Sequence, residues 1–214
     1  MWWEFLTGGA IGYLVGSIPA GLIVGRLARG IDIRKFGSGK TGFTNVWRTI
    51  GVRWGVLVLV ADIGKGVVPV VVARVLSDEP YVQATAGLAA AIGHDWPVFA
   101  GFQGGRGVGT SFGAALAMNP IAAGALIPVG LGLVAVTRIM SVMSVGMAPI
   151  LAVVFVVLAA FGVHSWAYAV YAVIAALMVV VLHRENIERL LAGTEPKLGQ
   201  GGAHRDEPPA VSGG

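Results

Sequence analysis

The sequence contains no cysteine, which excludes disulfides, thiolate nucleophiles and cysteine-ligated metal sites. Charged residues are also scarce: they make up 12% of the 214 residues, whereas a soluble domain carries about 25%. Hydrophobic residues account for 56% of the chain. Because so few polar side chains remain to cover a water-facing surface, the composition predicts an all-α, polytopic integral membrane protein.

The basic residues crowd into a few loops, although the formal net charge is only +4. This distribution indicates membrane orientation and argues against nucleic-acid binding. The chain begins Met-Trp-Trp-Glu, without the positively charged start of a signal peptide. We therefore interpret the first apolar stretch as a retained membrane span.

The apolar stretches predict the membrane spans, since a spanning helix needs about 20 apolar residues. The stretch 107–136 is too long for one span, and Asn119-Pro120 is the expected break within it. Seven spans result, at 5–25, 54–75, 81–93, 107–118, 121–137, 141–161 and 165–182.

Orientation supports seven spans with the N-terminus outside and the C-terminus cytoplasmic. The basic loop 26–53, Arg106 and Arg138 then all lie inside, whereas six spans would separate Arg106 from Arg138. We predict a single membrane domain over 1–192. Residues 193–214, rich in Gly, Pro and charge, are predicted to form a disordered cytoplasmic tail.

Small residues and one ion pair indicate how the spans pack. Glycines recur at four-residue spacing, which favours close helix contact; the two sets are Gly8, Gly12, Gly16 and Gly105, Gly109, Gly113. Asp62 and Lys65 share a helix face and are predicted to pair. An intramembrane pair of this kind has either a structural or a functional role.

The first of four polar segments is rich in glycine and hydroxyl groups. Glycines let backbone N–H groups approach an anion, and nearby cations complete a phosphate site. It is not a nucleotide-binding P-loop, since position 34 is Arg where that motif needs Gly. Ser38 and Asn45 are the predicted donors to a carbonyl oxyanion. The predicted substrate-binding residues of this segment are Gly37, Gly39, Lys40, Thr44 and Arg48.

The second segment follows His94 and ends where a short helix is expected to start. A helix N-terminus favours an anion, and Arg106 is a bidentate phosphate donor. We predict a catalytic role for His94 and substrate binding by Gly104, Gly105, Arg106 and Gly107. A structural histidine at the interface is the alternative for His94.

The third and fourth segments lie at the ends of the last two spans. In the third, Ser141 and Ser144 are predicted substrate-binding residues, with a simple turn capped by Ser141 as the alternative. In the fourth, His183 is a predicted catalytic residue and Asn186 a predicted ligand, with a basic stop signal as the alternative. No convincing metal-ligand cluster is present in the sequence.

These motifs, in this order, resemble the bacterial membrane acyl-phosphate:glycerol-3-phosphate acyltransferases over nearly the whole chain. The motifs that carry the resemblance are Gly37-Ser38-Gly39, Thr44-Asn45-Val46, Arg48, Gly93-His94, Pro97-Val98-Phe99, Gly104-Gly105-Arg106-Gly107-Val108, Ser141 and His183-Arg184-Glu185-Asn186-Ile187. The chain departs from the family at three positions. Lys40 stands where Asn is usual, Phe43 where a small residue is usual, and Arg106 where Lys is common.

The resemblance implies a seven-helix enzyme of the bacterial inner membrane with its active site on the cytoplasmic face. It would transfer a fatty acyl group from acyl phosphate to the 1-hydroxyl of glycerol 3-phosphate, giving lysophosphatidic acid and phosphate for phospholipid synthesis. No metal or cofactor is implied; the implied partners are membrane lipids and the soluble enzyme that makes acyl phosphate. The base is left open between His183, His94 and the acceptor's own phosphate.

A transporter of phosphate or a small organic anion is the alternative function, since it would also use basic glycine loops and helix ends. Transporters, however, place broken helices and polar groups near the membrane midplane. In this sequence the glycine loops are predicted at the membrane boundary, and Asp62–Lys65 is the one predicted intramembrane pair. The sequence therefore favours an acyltransferase.

Overall fold

A computed structural model describes residues 2–204, and over this range the regular secondary structure is helical. The helices alternate with short loops, and two brief 3₁₀ turns lie within the longer connections. Within the described range the α-helices are α1 (Trp2–Gly16), α2 (Ala20–Arg29), α3 (Phe43–Ile50), α4 (Val52–Leu76), α5 (Pro80–Asp95), α6 (Val108–Met118), α7 (Pro120–Gly124), α8 (Ile127–Thr137), α9 (Met140–Ala160), α10 (Trp166–Leu182) and α11 (Arg184–Leu191).

In the described part of the chain, four helical segments are long and apolar enough to cross a membrane. They are Trp2–Arg29, α4, Pro120–Thr137 and α9. A fifth results if α10 and α11, which meet at a bend of 60°, are taken together. The all-α prediction is confirmed; α6 is a shorter apolar helix of 11 residues, as the sequence predicted.

Two of these spanning segments contain a short helix interruption near a proline. The span 5–25 divides into α1 and α2, with Pro19 at the N-cap of α2. The span 121–137 divides into α7 and α8, with Pro128 in the first turn of α8. Proline lacks a backbone N–H and fits the first turn of a helix, so the chain restarts helically at these points.

Glycines bring two pairs of helices into close contact. A Cβ on Gly12 or Gly16 of α1 would collide with the carbonyl oxygens of Ala86 and Ala90 of α5. On α6, a Cβ at Gly113 would likewise collide with the carbonyl oxygen of Ile63. The close contacts predicted from the four-residue glycine spacing are therefore confirmed for both helix pairs.

The α4–α6 contact gives a stability prediction. Gly113→Ala should lower the free energy of unfolding by about 1–3 kcal/mol, because the new methyl group forces two backbones apart. Gly64→Ala is the matched control, since a Cβ there meets none of the described atoms within 4 Å. Thermal unfolding of both variants in one detergent measures the difference. Equal midpoints would contradict the close packing of α4 on α6.

The segment 193–204 packs against the loops, although its composition predicted disorder. The Leu198 amide donates to the carbonyl of Arg138 at 2.7 Å, and the Gly37 amide donates to that of Ala203 at 3.0 Å. These partners lie far away in sequence, which is why composition did not reveal them. The rest of the predicted tail, 205–214, lies outside the described residues.

Candidate active site

The four polar segments meet at one end of the helical bundle. They surround a small cavity, here called the polar pocket, which opens into a larger one of about 550 Å³, here called the long cavity. The two cavities share lining residues from all four segments, including Ser38, Arg106, Ser144 and His183. The polar pocket is lined by Ser38, Thr44, Arg48, Arg106, Met140, Ser141, Ser144, His183, Asn186 and Glu195.

Asn45 shapes the first glycine loop, which comprises residues 37–45. Its Oδ1 accepts from the Ser38 amide at 3.0 Å, and its Nδ2 lies within 3.1 Å of the carbonyl oxygens of Ile33, Phe36 and Lys40. Gly37 and Gly39 both have positive φ, of 51° and 69°. Because the amide hydrogens of Asn45 are already taken, the structure favours a loop-building role over the predicted oxyanion donation.

The second glycine loop, residues 104–107, leads into α6. A Cβ on Gly104 would collide with the carbonyl oxygen of His94, and one on Gly105 with its ring. Gly107 has a φ of 68°, which favours glycine, and it forms the N-cap of α6. The Thr41 amide donates to the Gly104 carbonyl at 3.4 Å and so joins the two glycine loops.

Arg48 and Arg106 bring two guanidinium groups to the polar pocket. In each, Nε is buried and has no hydrogen-bond partner among the described residues. Arg48 donates through Nη2 to the Pro196 carbonyl at 2.9 Å, and Nη2 of Arg106 lies 3.9 Å from Glu185. Burial, more than any neighbouring charge, lowers the pKa of both guanidiniums. Such groups stay protonated in proteins, so their free donors are suited to an anion.

Glu195 holds the third and fourth segments together. Its Oε1 accepts from Ser141 Oγ at 2.9 Å and from Asn186 Nδ2 at 2.6 Å, and its Oε2 accepts from Arg189 Nε at 2.7 Å. Burial alone would raise the pKa of this carboxyl, but the three hydrogen bonds outweigh burial and lower it. Glu195 was not predicted as a site residue, because it lies in the segment whose composition indicated disorder.

His94 belongs to a buried cluster with Asp62 and Lys65. Lys65 Nζ lies 2.9 Å from Asp62 Oδ1 and 3.1 Å from His94 Nδ1, and it donates to the Ile18 carbonyl at 2.9 Å. The predicted Asp62–Lys65 pair is therefore present. The His94 ring lies against Gly105 and also borders the long cavity. The cluster favours the structural alternative for His94, as a support for the second glycine loop.

His183 is arranged differently from His94. Its Nδ1 lies 2.7 Å from the Val179 carbonyl, which can only accept, so Nδ1 carries the hydrogen and Nε2 is left as an acceptor. Burial lowers the pKa of His183 to about 4. The ring is therefore neutral near pH 7. It borders both cavities.

This low pKa predicts the pH dependence of a His183 variant. Because the folded pKa lies below the usual value, His183 gains a proton only in acid, and it should add no limb to the rate profile between about pH 5 and 8. His183→Gln should lower kcat about tenfold and leave the shape of the profile unchanged. Steady-state rates across this pH range test it. A limb of the pH–rate profile near pH 6.5 that disappears in His183→Gln would contradict a neutral His183.

Not all of the remaining predicted site residues line the polar pocket. Lys40 lines the long cavity but not the polar pocket among the described residues, and Ser144 Oγ bonds back to the Met140 carbonyl at 3.1 Å. Gly37 and Gly39 belong to the first glycine loop, but they line neither cavity. Over residues 2–204, no group of three or more His, Asp or Glu side chains is arranged to hold a metal ion.

Comparisons with known proteins agree with this geometry. Residues 6–193 match the family model described as glycerol-3-phosphate acyltransferase. A glycerol-3-phosphate acyltransferase of Parasynechococcus marenigrum is 44% identical over 191 residues, covering 89% of this chain and 88% of its own. One of Rubrobacter xylanophilus is 41% identical over 193 residues, covering 88% of this chain and 92% of its own.

The fold also matches solved structures. The crystal structure of PlsY, an integral membrane glycerol 3-phosphate acyltransferase, in its glycerol 3-phosphate form superposes with a TM-score of 0.82 at 36% identity, over 91% of this chain and 96% of that one. The lysophosphatidic acid form gives 0.80 at 35% identity, over 90% and 94%. Sequence and fold thus agree across almost the full length, and the chain belongs to the glycerol-3-phosphate acyltransferase family.

Proposed function

We propose that this protein transfers a fatty acyl group from acyl phosphate to the 1-hydroxyl of glycerol 3-phosphate, releasing lysophosphatidic acid and phosphate. The observation that carries the proposal is the pair of guanidinium groups, on Arg48 and Arg106, whose buried Nε donors have no partner among the described residues. They border a polar pocket that continues into a long apolar cavity, as a phosphorylated head and a fatty chain would require. Family membership supports the acceptor, since related structures are solved in glycerol 3-phosphate and lysophosphatidic acid forms.

Both substrates carry a phosphate, so the site has to offset the repulsion between two anions. Arg48 and Arg106 provide charge-assisted donors, and the amides of the two glycine loops add further donors. Phosphate is already a good leaving group, so direct attack needs no covalent intermediate on the enzyme. Ser38 borders both cavities, and its hydroxyl is the side-chain donor that we assign to the carbonyl oxyanion.

We assign the proton to a substrate phosphate. Phosphate monoesters have a second pKa near 6, so their oxygens are stronger bases than a histidine whose pKa is about 4. His183 would instead accept a hydrogen bond through Nε2 from the neighbouring 2-hydroxyl of glycerol 3-phosphate, and so orient the 1-hydroxyl, whose own proton goes to the phosphate. Asn186 and Ser141, fixed by Glu195, complete this wall of the pocket. His94 supports the loop from behind.

We further propose seven spans, with the site on the cytoplasmic face of the inner membrane, where a soluble enzyme supplies acyl phosphate. The seven spans are the five longer helical segments together with α5 and α6. This arrangement places the basic loops on the cytoplasmic side. The chain lacks cysteine, so single substitutions Gln103→Cys, Arg138→Cys and Asp78→Cys can be labelled cleanly. The first two should react with an impermeant reagent from the same side and the third from the other. Opposite labelling of positions 103 and 138 would refute the topology.

Purified protein in liposomes tests the reaction. Labelled glycerol 3-phosphate should enter the lipid fraction when acyl phosphate is supplied and should not when acyl-CoA replaces it. The sequence supports this choice of donor. Acyl-CoA-dependent enzymes have a His-x4-Asp motif, and none of His94, His164 and His183 has Asp five positions later. Label that accumulates inside the vesicles without entering lipid would instead support the anion transporter.

A further inference from the structure

The long cavity follows one face of α9. The residues of α9 that line it include Met140, Met143, Met147 and Leu151, which recur every three or four positions. Met140 also lines the polar pocket, so this row starts at the site itself. Between Met140 and Leu151 the helix rises by about 16 Å, at about 1.5 Å per residue.

Helix α10 supplies the facing wall over the same depth. Its lining row runs from Val179 through Ala176 and Ala175 to Ala172, and it starts at His183 just beyond the helix end. His183 and Ala172 are also eleven positions apart, so both rows have the same depth of about 16 Å. This is about half of the 30 Å hydrocarbon core, and therefore the thickness of one leaflet.

Both rows stop at the same layer of aromatic side chains. The next positions on the two faces are Phe155 on α9 and Tyr168 on α10, and neither is among the described residues that line the cavity. Phe155 is fully buried, and Tyr168 donates through its hydroxyl to Gln83 Oε1 at 2.6 Å. The His164 ring lies between them, with centroids 5.2 Å from Phe155 and 5.6 Å from Tyr168.

We propose that this aromatic floor, formed by Phe155, His164 and Tyr168, limits the length of the acyl chain that the enzyme accepts. The proposal rests on the proposed function, because it takes the long cavity as the acyl site. A chain whose carbonyl lies beside His183 runs down between α9 and α10 until its last methyl group meets the floor. Ala172, just above the floor, leaves space there because its side chain is small.

Ala172→Leu and Phe155→Leu test the proposal in opposite directions. Leucine at 172 fills the bottom of the cavity, so the preferred acyl chain should become shorter. Leucine at 155 lowers the floor, so the preferred chain should become longer. Each methylene gained or lost from burial should change relative kcat/KM by about fourfold. A series of saturated acyl phosphates that differ by two methylenes measures this shift.

Val173→Leu and Phe161→Leu are the matched controls, since both side chains are exposed on the outer surface of α10 and at the end of α9. They should keep the wild-type preference. Full activity of Ala172→Leu with the shortest donor would show that this variant folds and would support the floor. A preference that stays the same in both floor variants would overturn it.

A second measurement separates this proposal from the identity of the donor. Lysophosphatidic acids of the same chain lengths should raise the unfolding temperature according to their affinity, without any turnover. If acyl phosphate gave no product but this stabilisation still shifted with chain length in Ala172→Leu, the proposed donor would fail and the floor would stand. If stabilisation were independent of chain length in every variant, the floor would fail whatever the donor.

Discussion

Replacing Arg106 by alanine should lower kcat/KM for glycerol 3-phosphate by about a hundredfold. A hydrogen bond to a charged group is worth about 1.5–3 kcal/mol, and the upper end applies where the donor is buried. Arg106 Nε is buried without a described partner, and the residue borders both cavities. In the proposed reaction, removing it also leaves two substrate phosphates with one guanidinium fewer. Steady-state kinetics with varied glycerol 3-phosphate measures the loss.

Two further variants show whether the loss belongs to the guanidinium. Arg106→Lys keeps the charge but loses the planar guanidinium, so its kcat/KM should lie between those of wild type and Arg106→Ala. Arg184→Ala removes an exposed positive charge near the same pocket and should leave the kinetics unchanged. Near-normal kinetics of Arg106→Ala would remove this residue from the phosphate site.

Glu195→Ala should lower the free energy of unfolding by about 1–3 kcal/mol, the usual cost of leaving buried donors without an acceptor, because Arg189 is 37% exposed and can be solvated by water instead. The carboxylate accepts from Ser141, Asn186 and Arg189, and its loss would leave these donors without their acceptor. Activity should fall with stability, because Ser141 and Asn186 line the polar pocket. Thermal unfolding in detergent and the rate at a permissive temperature measure the two effects.

Acid provides an internal check on this prediction. The folded-state pKa of Glu195 lies below its usual value of 4.5, so the stability it contributes is present above pH 4.5 and is lost as the pH falls through the folded-state pKa. The difference between wild type and Glu195→Ala should therefore be constant near neutral pH and should shrink in acid. Glu188→Ala removes an exposed carboxylate of α11 and should show no difference. Wild-type stability of Glu195→Ala would show that the contacts of this carboxylate do not hold the segments together.

Long, strongly apolar segments were predicted closely from the sequence. The predicted span 141–161 is α9 within one residue, and 165–182 is α10 within one residue. The glycine spacing correctly predicted that the helices which carry it make close contact with a neighbour. These features are local, because a sufficiently long apolar run crosses a membrane as a helix, in which every backbone group finds its partner within the same segment. The helix interruptions inside two predicted spans, near Pro19 and Pro128, were not predicted, because a proline allows a helix either to kink or to restart.

The sequence by itself determined the helical class, the glycine loops and the family. Only the tertiary structure decided what individual polar residues do. It ties His94 to Lys65, which is 29 positions away, and leaves His183 with a free acceptor; it also brings Glu195 to Ser141 across 54 positions. A side chain's role depends on which groups surround it and exclude water from it. Those groups come from distant segments, so no local pattern could reveal them.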